Sequence, residues 1–283
     1  MTGRGDLTAW RTHRSGVDTV DDLVGALALE QVSPTAFTGR STVVPARRVF
    51  GGQLLAQCVV AATLTVAPPA MPHSLHAYFV RAGRPAVKLH FAVTTLRDGR
   101  SFAVRRVDAL QDDELITTMI ASFHTAEDGL AHQDPMPDRP LPGALAGRTP
   151  FLLSPEGPGA EGAVELRAVP PEQGSTDTSL WMRVNAPLPD DPLLHQALLV
   201  YLSDFGILHG AYNAHGVARP SIMTASLDHS MWLHREGRAD QWLLYDTHSP
   251  SAAGARALGR AALFTESGDL LATAGQEMLV RRR

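Results

Sequence analysis

Two stretches of this chain share one order of predicted elements, a mostly apolar helix followed by four strands. The helices cover residues 50–67 and 193–209. Each is followed by segments in which apolar and polar residues alternate, the pattern of strands with one buried face. The strand segments are 73–81, 87–97, 102–111 and 115–124 in the first stretch, and 224–235, 242–248, 256–266 and 270–280 in the second. The repeated order predicts a duplicated unit.

The spacing within the two stretches supports a duplication. Arg106 and Ser122 are 16 positions apart, as are Arg260 and Gln276, which pairs Ser122 with Gln276. A helix followed by antiparallel strands with short joints is an α+β layout and not a βαβ one. We therefore predict two α+β repeats. The first covers residues 1–128 with a leader, a linker rich in Pro, Gly and Ala covers 129–162, and the second repeat covers 163–283.

Composition excludes several classes of protein. The formal net charge of −4 gives no basis for nucleic-acid binding. Cys58 is the only cysteine, which excludes an internal disulfide and a thiolate metal cluster. The histidines show no zinc-binding spacing, so we expect no metal and no other cofactor. The start of the chain is polar and no apolar run approaches the ~20 residues of a membrane span, so we expect a soluble cytoplasmic protein.

The second helix carries a carboxylate in apolar surroundings. It opens after Asp190-Asp191-Pro192, a helix-start signal, and from Ala197 to Leu208 it is apolar on nearly every side except at Asp204. An unpaired carboxylate there would cost several kcal/mol or take up a proton. Asp204 is therefore either a catalytic group or a structural carboxylate bonded to the backbone.

The first helix begins with two glycines. Gly51 and Gly52 have no side chains to obstruct the amides of the first turn, which could then bind an oxyanion. The same two glycines could instead serve only for close packing between the helix and the sheet.

Several sequence strings resemble those of the bacterial acyl-CoA thioesterase II family. FGGQLLAQ, HSLHAYFVRAG and RDGRSFAVRRVDALQ resemble its first half, and YLSDFG, SLDHSMWLHR and AGQEMLVR its second. The resemblance implies a double hotdog fold, in which each of two repeats wraps an antiparallel sheet around a long helix. It also implies hydrolysis of acyl-CoA to a free fatty acid and CoA, and further association of the chains. The catalytic residues of the family, Asp, Thr or Ser, and Gln, correspond to Asp204, Ser226 and Gln276.

The chemistry of these residue types fits that implication. A thioester is already activated, so its hydrolysis needs a positioned water, a base and donors for the developing oxyanion. Asp204 can act as the base, Ser226 and Gln276 can hold the water, and the amides of Gly51 and Gly52 can hold the carbonyl oxygen. The alternative is a non-catalytic acyl-CoA-binding or oligomerising hotdog protein.

Three further expectations follow from the resemblance and the repeat. We expect a medium- to long-chain acyl-CoA substrate and a homodimer or higher homo-oligomer. We also expect one active site per chain, because the helix of the first stretch has no carboxylate and Ser122 replaces Gln276 there.

Overall fold

The computed structural model describes residues 20–41, 48–145, 162–217 and 221–282. These ranges contain four α-helices: α1 is Val20–Leu27, α2 is Gly51–Thr63, α3 is Pro192–Ser203 and α4 is His209–Ala214. The strands of the first half are β1 Glu30–Ser33, β2 Ala36–Gly39, β3 Met71–Phe79, β4 Leu89–Asp98, β5 Phe102–Gln111 and β6 Glu114–His124. Those of the second are β7 Val164–Ala168, β8 Asp177–Val184, β9 Ile222–Ser226, β10 Asp228–Leu233, β11 Leu243–Ala253, β12 Arg256–Thr265 and β13 Leu270–Arg282.

All of these strands belong to one antiparallel sheet whose order reads the same from both edges. The order is β1-β2-β4-β5-β6-β3-β10-β13-β12-β11-β8-β7, and β9 pairs with β13 beside this path. Each strand on one side of the β3–β10 junction therefore has a counterpart on the other side. The predicted α+β class and the predicted repeat of one helix and its strands are confirmed.

The two central helices are buried because apolar side chains lie on nearly every side of them. In α2 every residue after Gly51 is buried, and in α3 every residue after Pro192 is buried. The hydrophobic surface of such helices is removed from water only when other elements cover them on all sides. Here α2 and α3 pack against each other within the curve of the sheet. At the start of α3 the Asp191 carboxylate accepts from the amides of Leu193 and Leu194, which fixes where the helix begins.

The strand ladders give the true correspondence between the repeats. His76 pairs with Ser230, 154 positions later, at the centre of the β3–β10 ladder. In the first repeat Arg105 pairs with Ala121, and in the second Gly259, again 154 positions later, pairs with Gln276. The counterpart of Gln276 is therefore Ala121.

The predicted match between Ser122 and Gln276 is wrong by one residue. Ala109 pairs with Thr117, whereas its counterpart Leu263 pairs with Ala272, so the second hairpin has one extra residue in its turn. One residue moves a side chain to the other face of a strand. Ser122 accordingly lies on the outer face of the sheet, with its Oγ 2.9 Å from His73 Nε2.

Both predicted helices are longer than the observed ones, and one predicted strand is divided. The helix predicted for 50–67 ends at Thr63. The helix predicted for 193–209 ends at Ser203, because the chain turns at Gly206, which has a φ of +70°, before α4 begins. The strand predicted for 224–235 is divided into β9 and β10 at Leu227. The boundaries of the repeats at 128 and 162 remain a prediction; much of the predicted linker, residues 146–161, lies outside the described ranges.

Candidate active site

The first turn of α2 meets the last turn of α3 at Asp204. Asp204 is the residue that ends α3, and its Oδ2 accepts a hydrogen bond of 2.8 Å from the amide of Gly52. A Cβ at Gly52 would overlap the carbonyl oxygen of Tyr201, and a Cβ at Gly51 would lie 2.8 Å from Asp204 Oδ2. Both glycines are therefore needed for the close approach of the two helices.

The two helix ends have opposite effects on the charge of Asp204. A carboxylate at the C-terminal end of its own helix α3 faces the negative end of that helix dipole. The N-terminal amides of α2 offset this, because a helix start binds anions. Gly52 supplies one such amide directly, while the amide of Gly51 has no acceptor within the described residues.

Gln276 holds the other oxygen of the same carboxylate. It lies on β13, is 1% exposed, and donates from Nε2 to Asp204 Oδ1 over 2.9 Å. Ser226, at the end of β9, pairs with Met278 and so lies on the face of the sheet that carries Gln276. Within the described contacts no hydrogen bond joins Ser226 to Asp204 or Gln276.

A second layer of buried polar side chains lies behind Gln276. His229 Nδ1 is 3.3 Å from Gln276 Oε1, and His229 Nε2 is 2.9 Å from Ser203 Oγ. Burial lowers the pKa of His229 to about 4, so its ring is neutral near pH 7. The Tyr245 hydroxyl donates to the carbonyl oxygen of Ser203, and burial, followed by the nearby Asp204 charge, raises the pKa of Tyr245.

From the sequence the histidines were considered only as possible zinc ligands, and no role was assigned to His229. Alternation along β10 places His229 on the same face as the apolar Met231 and Leu233, and this pattern could have identified a buried histidine.

An apolar cavity of about 290 Å³ begins at Phe205, the residue after Asp204 in the chain. Phe205 forms part of its wall, and the Phe205 ring also contacts Phe50 with 4.9 Å between ring centroids. The cavity lies between the turn into α4 and strands β8 and β11. Other lining residues include Ala168, Leu180, Gly206, Tyr212 and Tyr245.

Two further features concern metals and membranes. Across the described ranges no group of three or more His, Cys, Asp or Glu side chains is arranged to hold a metal ion. None of the helices in those ranges is both long and apolar enough to cross a membrane.

Comparisons with known proteins show the family to which the chain is similar. Residues 165–279 match the family "Acyl-CoA thioesterase", and residues 40–124 match "Acyl-CoA thioesterase N-terminal domain". Acyl-CoA thioesterase 2 of Haemophilus influenzae is 33% identical over an alignment that covers 93% of this chain and 98% of that protein.

Solved structures show the same architecture. The crystal structure of acyl-CoA thioesterase II TesB2 from Mycobacterium marinum is 40% identical, with a TM-score of 0.81 over 94% of this chain and 99% of that one. A hot dog fold protein from Alicyclobacillus acidocaldarius is only 20% identical yet has a TM-score of 0.76 over 92% of this chain and 98% of that one, so it is similar in fold alone. With both halves of the chain matched and its architecture shared, this protein belongs to the acyl-CoA thioesterase II family of double hotdog thioester hydrolases.

Proposed function

We propose that this thioesterase hydrolyses medium- to long-chain acyl-CoA by attack of a water that Asp204 activates. The observation that carries the proposal is the pair of hydrogen bonds to Asp204, one from Gly52 and one from Gln276. These donors fix the orientation of the carboxylate at the helix junction. A water can thus be held against a charged base of fixed orientation.

Hydrolysis then needs two proton transfers, one from the water to Asp204 and one from Asp204 to the leaving group. Asp204 takes a proton from the water as its oxygen bonds to the thioester carbonyl carbon, and the carbonyl oxygen becomes negatively charged. The amide of Gly51, at the positive end of α2, is the proposed donor to that oxygen. When the carbon–sulfur bond breaks, the proton on Asp204 passes to the CoA sulfur, and Asp204 is again a carboxylate. Ser226 is the proposed second contact to the water.

The size of the acyl group is inferred from the cavity beside Phe205. Ligand pockets in proteins are mostly apolar and begin at about 300 Å³, a size that this cavity nearly reaches at about 290 Å³. An acyl tail extending from a carbonyl at Gly51 past Asp204 would enter it. A short acyl group would leave the apolar wall unfilled and gain little from its burial.

The test is release of free thiol from a series of acyl-CoA substrates of increasing length. We expect kcat/KM to rise with chain length until the cavity is filled. If acyl-CoA binds but no thiol is released at any length, the chain is an acyl-CoA-binding protein and the proposal is wrong.

We also propose that the chain forms a homodimer or a higher homo-oligomer in the cytoplasm. Exposed apolar side chains, Tyr78, Val80, Ile120 and Trp232, lie on or beside the outer face of the central strands, at the junction of the repeats. A patch at a pseudo-two-fold axis suits a two-fold interface with a second copy. Light scattering at micromolar concentration should give a multiple of 30.4 kDa; a species of one chain would contradict this.

A further inference from the structure

The buried polar side chains behind Asp204 form a closed ring of contacts. Asp204 accepts from Gln276, Gln276 contacts His229, and His229 contacts Ser203, which is bonded through the peptide to Asp204. Ser203 and His229 are fully buried and Gln276 is 1% exposed. Since water does not reach these groups, their donors and acceptors must match one another.

The position of each proton in the ring follows from the carboxylate. An ionised carboxylate only accepts, so the NH₂ group of Gln276 must face Asp204 and its Oε1 must face His229. Oε1 also only accepts, so the proton on His229 must be on Nδ1. A neutral imidazole carries one N–H, which leaves Nε2 as an acceptor. The single proton of the Ser203 hydroxyl then has two acceptors in reach, His229 Nε2 at 2.9 Å and the carbonyl oxygen of Val200 at 2.8 Å. The position of the proton on Nδ1 therefore follows from Gln276 and Asp204, and the Ser203 hydroxyl is compatible with it.

We propose that His229 is a positioning residue for hydrolysis, whose Nδ1–H holds the Gln276 amide with its NH₂ group towards Asp204. Without this donor the amide can rotate by half a turn and place its oxygen against the carboxylate, which repels it. Asp204 would then lose the hydrogen bond from Gln276. The inference rests on the proposed roles of Asp204 and Gln276.

The first repeat supports the coupling between the two positions. There the counterpart of Gln276 is Ala121, and the residue that pairs with Ala121 on β3 is Leu75. Leu75 lies 154 positions before His229 and is fully buried as well. The fold therefore accepts an apolar side chain at this position, and the histidine is found only in the repeat that carries the glutamine.

The test begins with two substitutions at His229. His229→Leu, which copies the first repeat, removes the donor, and His229→Asn keeps an amide N–H near the place of Nδ1–H. With the acyl-CoA that the wild type hydrolyses best, we expect His229→Leu to lower kcat by about tenfold or more, as misplaced groups do, with little change in KM. His229→Asn should recover most of this loss. Leu75→Met, the matched change in the other repeat, should leave kcat unchanged.

The second measurement needs no variant at the site to fold. The ¹⁵N NMR spectrum of wild-type protein labelled in histidine, with His229 assigned by its coupling network, should show a protonated Nδ1 and an unprotonated Nε2. A protonated Nε2 would overturn the proposal, as would a folded His229→Leu variant with wild-type kcat. If Asp204→Asn also keeps full turnover, the proposed function itself fails; if Asp204→Asn is inactive while His229→Leu is fully active, only the role of His229 fails.

Discussion

Asp204 combines two properties that a structural carboxylate does not need together, a fixed orientation and a position beside an apolar cavity. Asp204→Asn keeps the size of the side chain but removes the base. We expect kcat to fall by about 10²-fold or more, the usual scale for loss of a general base. Steady-state thiol release measures this, with circular dichroism to verify folding. A folded variant with wild-type turnover would exclude Asp204 as the base.

Ser226 and Gln276 should each matter less than Asp204, and their effects should not add. Both are proposed to fix the same water and carboxylate, so removing one already loosens what the other holds. The single variants Ser226→Ala and Gln276→Ala and the double variant form a mutant cycle in kcat. Additive losses would show that the two side chains act independently.

His229 should also make stability depend on pH. Burial lowers its pKa from 6.5 to about 4 in the folded chain, so the unfolded chain binds more protons between these values. Its contribution to stability is thus fully present above pH 6.5 and is lost as the pH falls towards 4, by up to about 3 kcal/mol. Denaturant unfolding at pH 7 and pH 5 measures the slope, which should be smaller in His229→Leu. An identical slope in both proteins would contradict this assignment.

Individual residues differed in how well the sequence predicted them. Asp204 and Gln276 are polar residues within apolar segments, and the structure brings them into contact. The contact between His229 and Gln276 depends on the register of the strand ladder. The register inferred from sequence spacing was wrong by one residue. The extra residue lies in the β12–β13 turn, where Gly268 has a φ of +96°, and counting equal spacings did not allow for this longer turn.

At the scale of elements, the junction of α2 and α3 depends on Gly52. The sequence suggested that a side chain here would obstruct the substrate carbonyl, but a Cβ would first overlap the Tyr201 carbonyl and approach the Phe50 ring to 2.6 Å. Gly52→Ala should therefore separate the helices and destabilise the fold by about 1–3 kcal/mol, the usual cost of overpacking. Thermal unfolding measures this. The control is Gly129→Ala, where a Cβ would meet nothing within 4 Å; equal melting temperatures for both variants would contradict the prediction.

The wall formed by β7, β8 and α4 should set chain length. Ala168 on β7 lines the cavity, and Ala168→Phe would fill part of it. We expect kcat/KM to fall for long acyl-CoA and to change little for short ones. Ala252→Phe, at an exposed position of β11, is the control. A uniform fall across all lengths would place the acyl chain elsewhere.

Elements with strong periodicity were predicted well and breaks within apolar runs were not. The prediction for β5, residues 102–111, coincides with the observed strand, because alternation and the flanking turns agree there. The helix predicted for 193–209 extended too far because Phe205, Ile207 and Leu208 continue the apolar pattern beyond Ser203. These residues are buried by tertiary packing after the helix has ended, and hydrophobicity alone does not distinguish that case from a longer helix.

Across the whole molecule, the C-terminal ends of the two central helices differ. Helix α3 ends in the carboxylate Asp204, whereas α2 ends in the apolar Leu64. Beyond Leu64 the buried Arg105 donates to the carbonyl and hydroxyl oxygens of Thr65. A cation at a helix C-terminus is stabilising, so the contact of Arg105 with Thr65 at the end of α2 is a structural one.

The chain should therefore have one active site. Titration with a non-hydrolysable acyl-CoA analogue, followed by calorimetry, should give one bound molecule per chain, since α3 ends in the carboxylate Asp204 whereas α2 ends in Leu64. Ser122→Ala should leave turnover nearly unchanged, because Ser122 lies on the outer face of the sheet. Two equivalent bound molecules per chain, or a large loss in folded Ser122→Ala, would contradict the assignment.

The mirrored strand order has a consequence for how such a protein can change over generations. In a dimer of two identical single repeats, one gene encodes both copies. A mutation that changes a helix end in one copy therefore changes it in the other. Joining the copies in one chain gives each helix end its own codons. Arginine at position 105 and glycine at position 259, or leucine at 75 and histidine at 229, can then exist in one molecule. Specialisation of one helix end for chemistry and of the other for structure is open to the fused form and closed to a dimer of identical repeats.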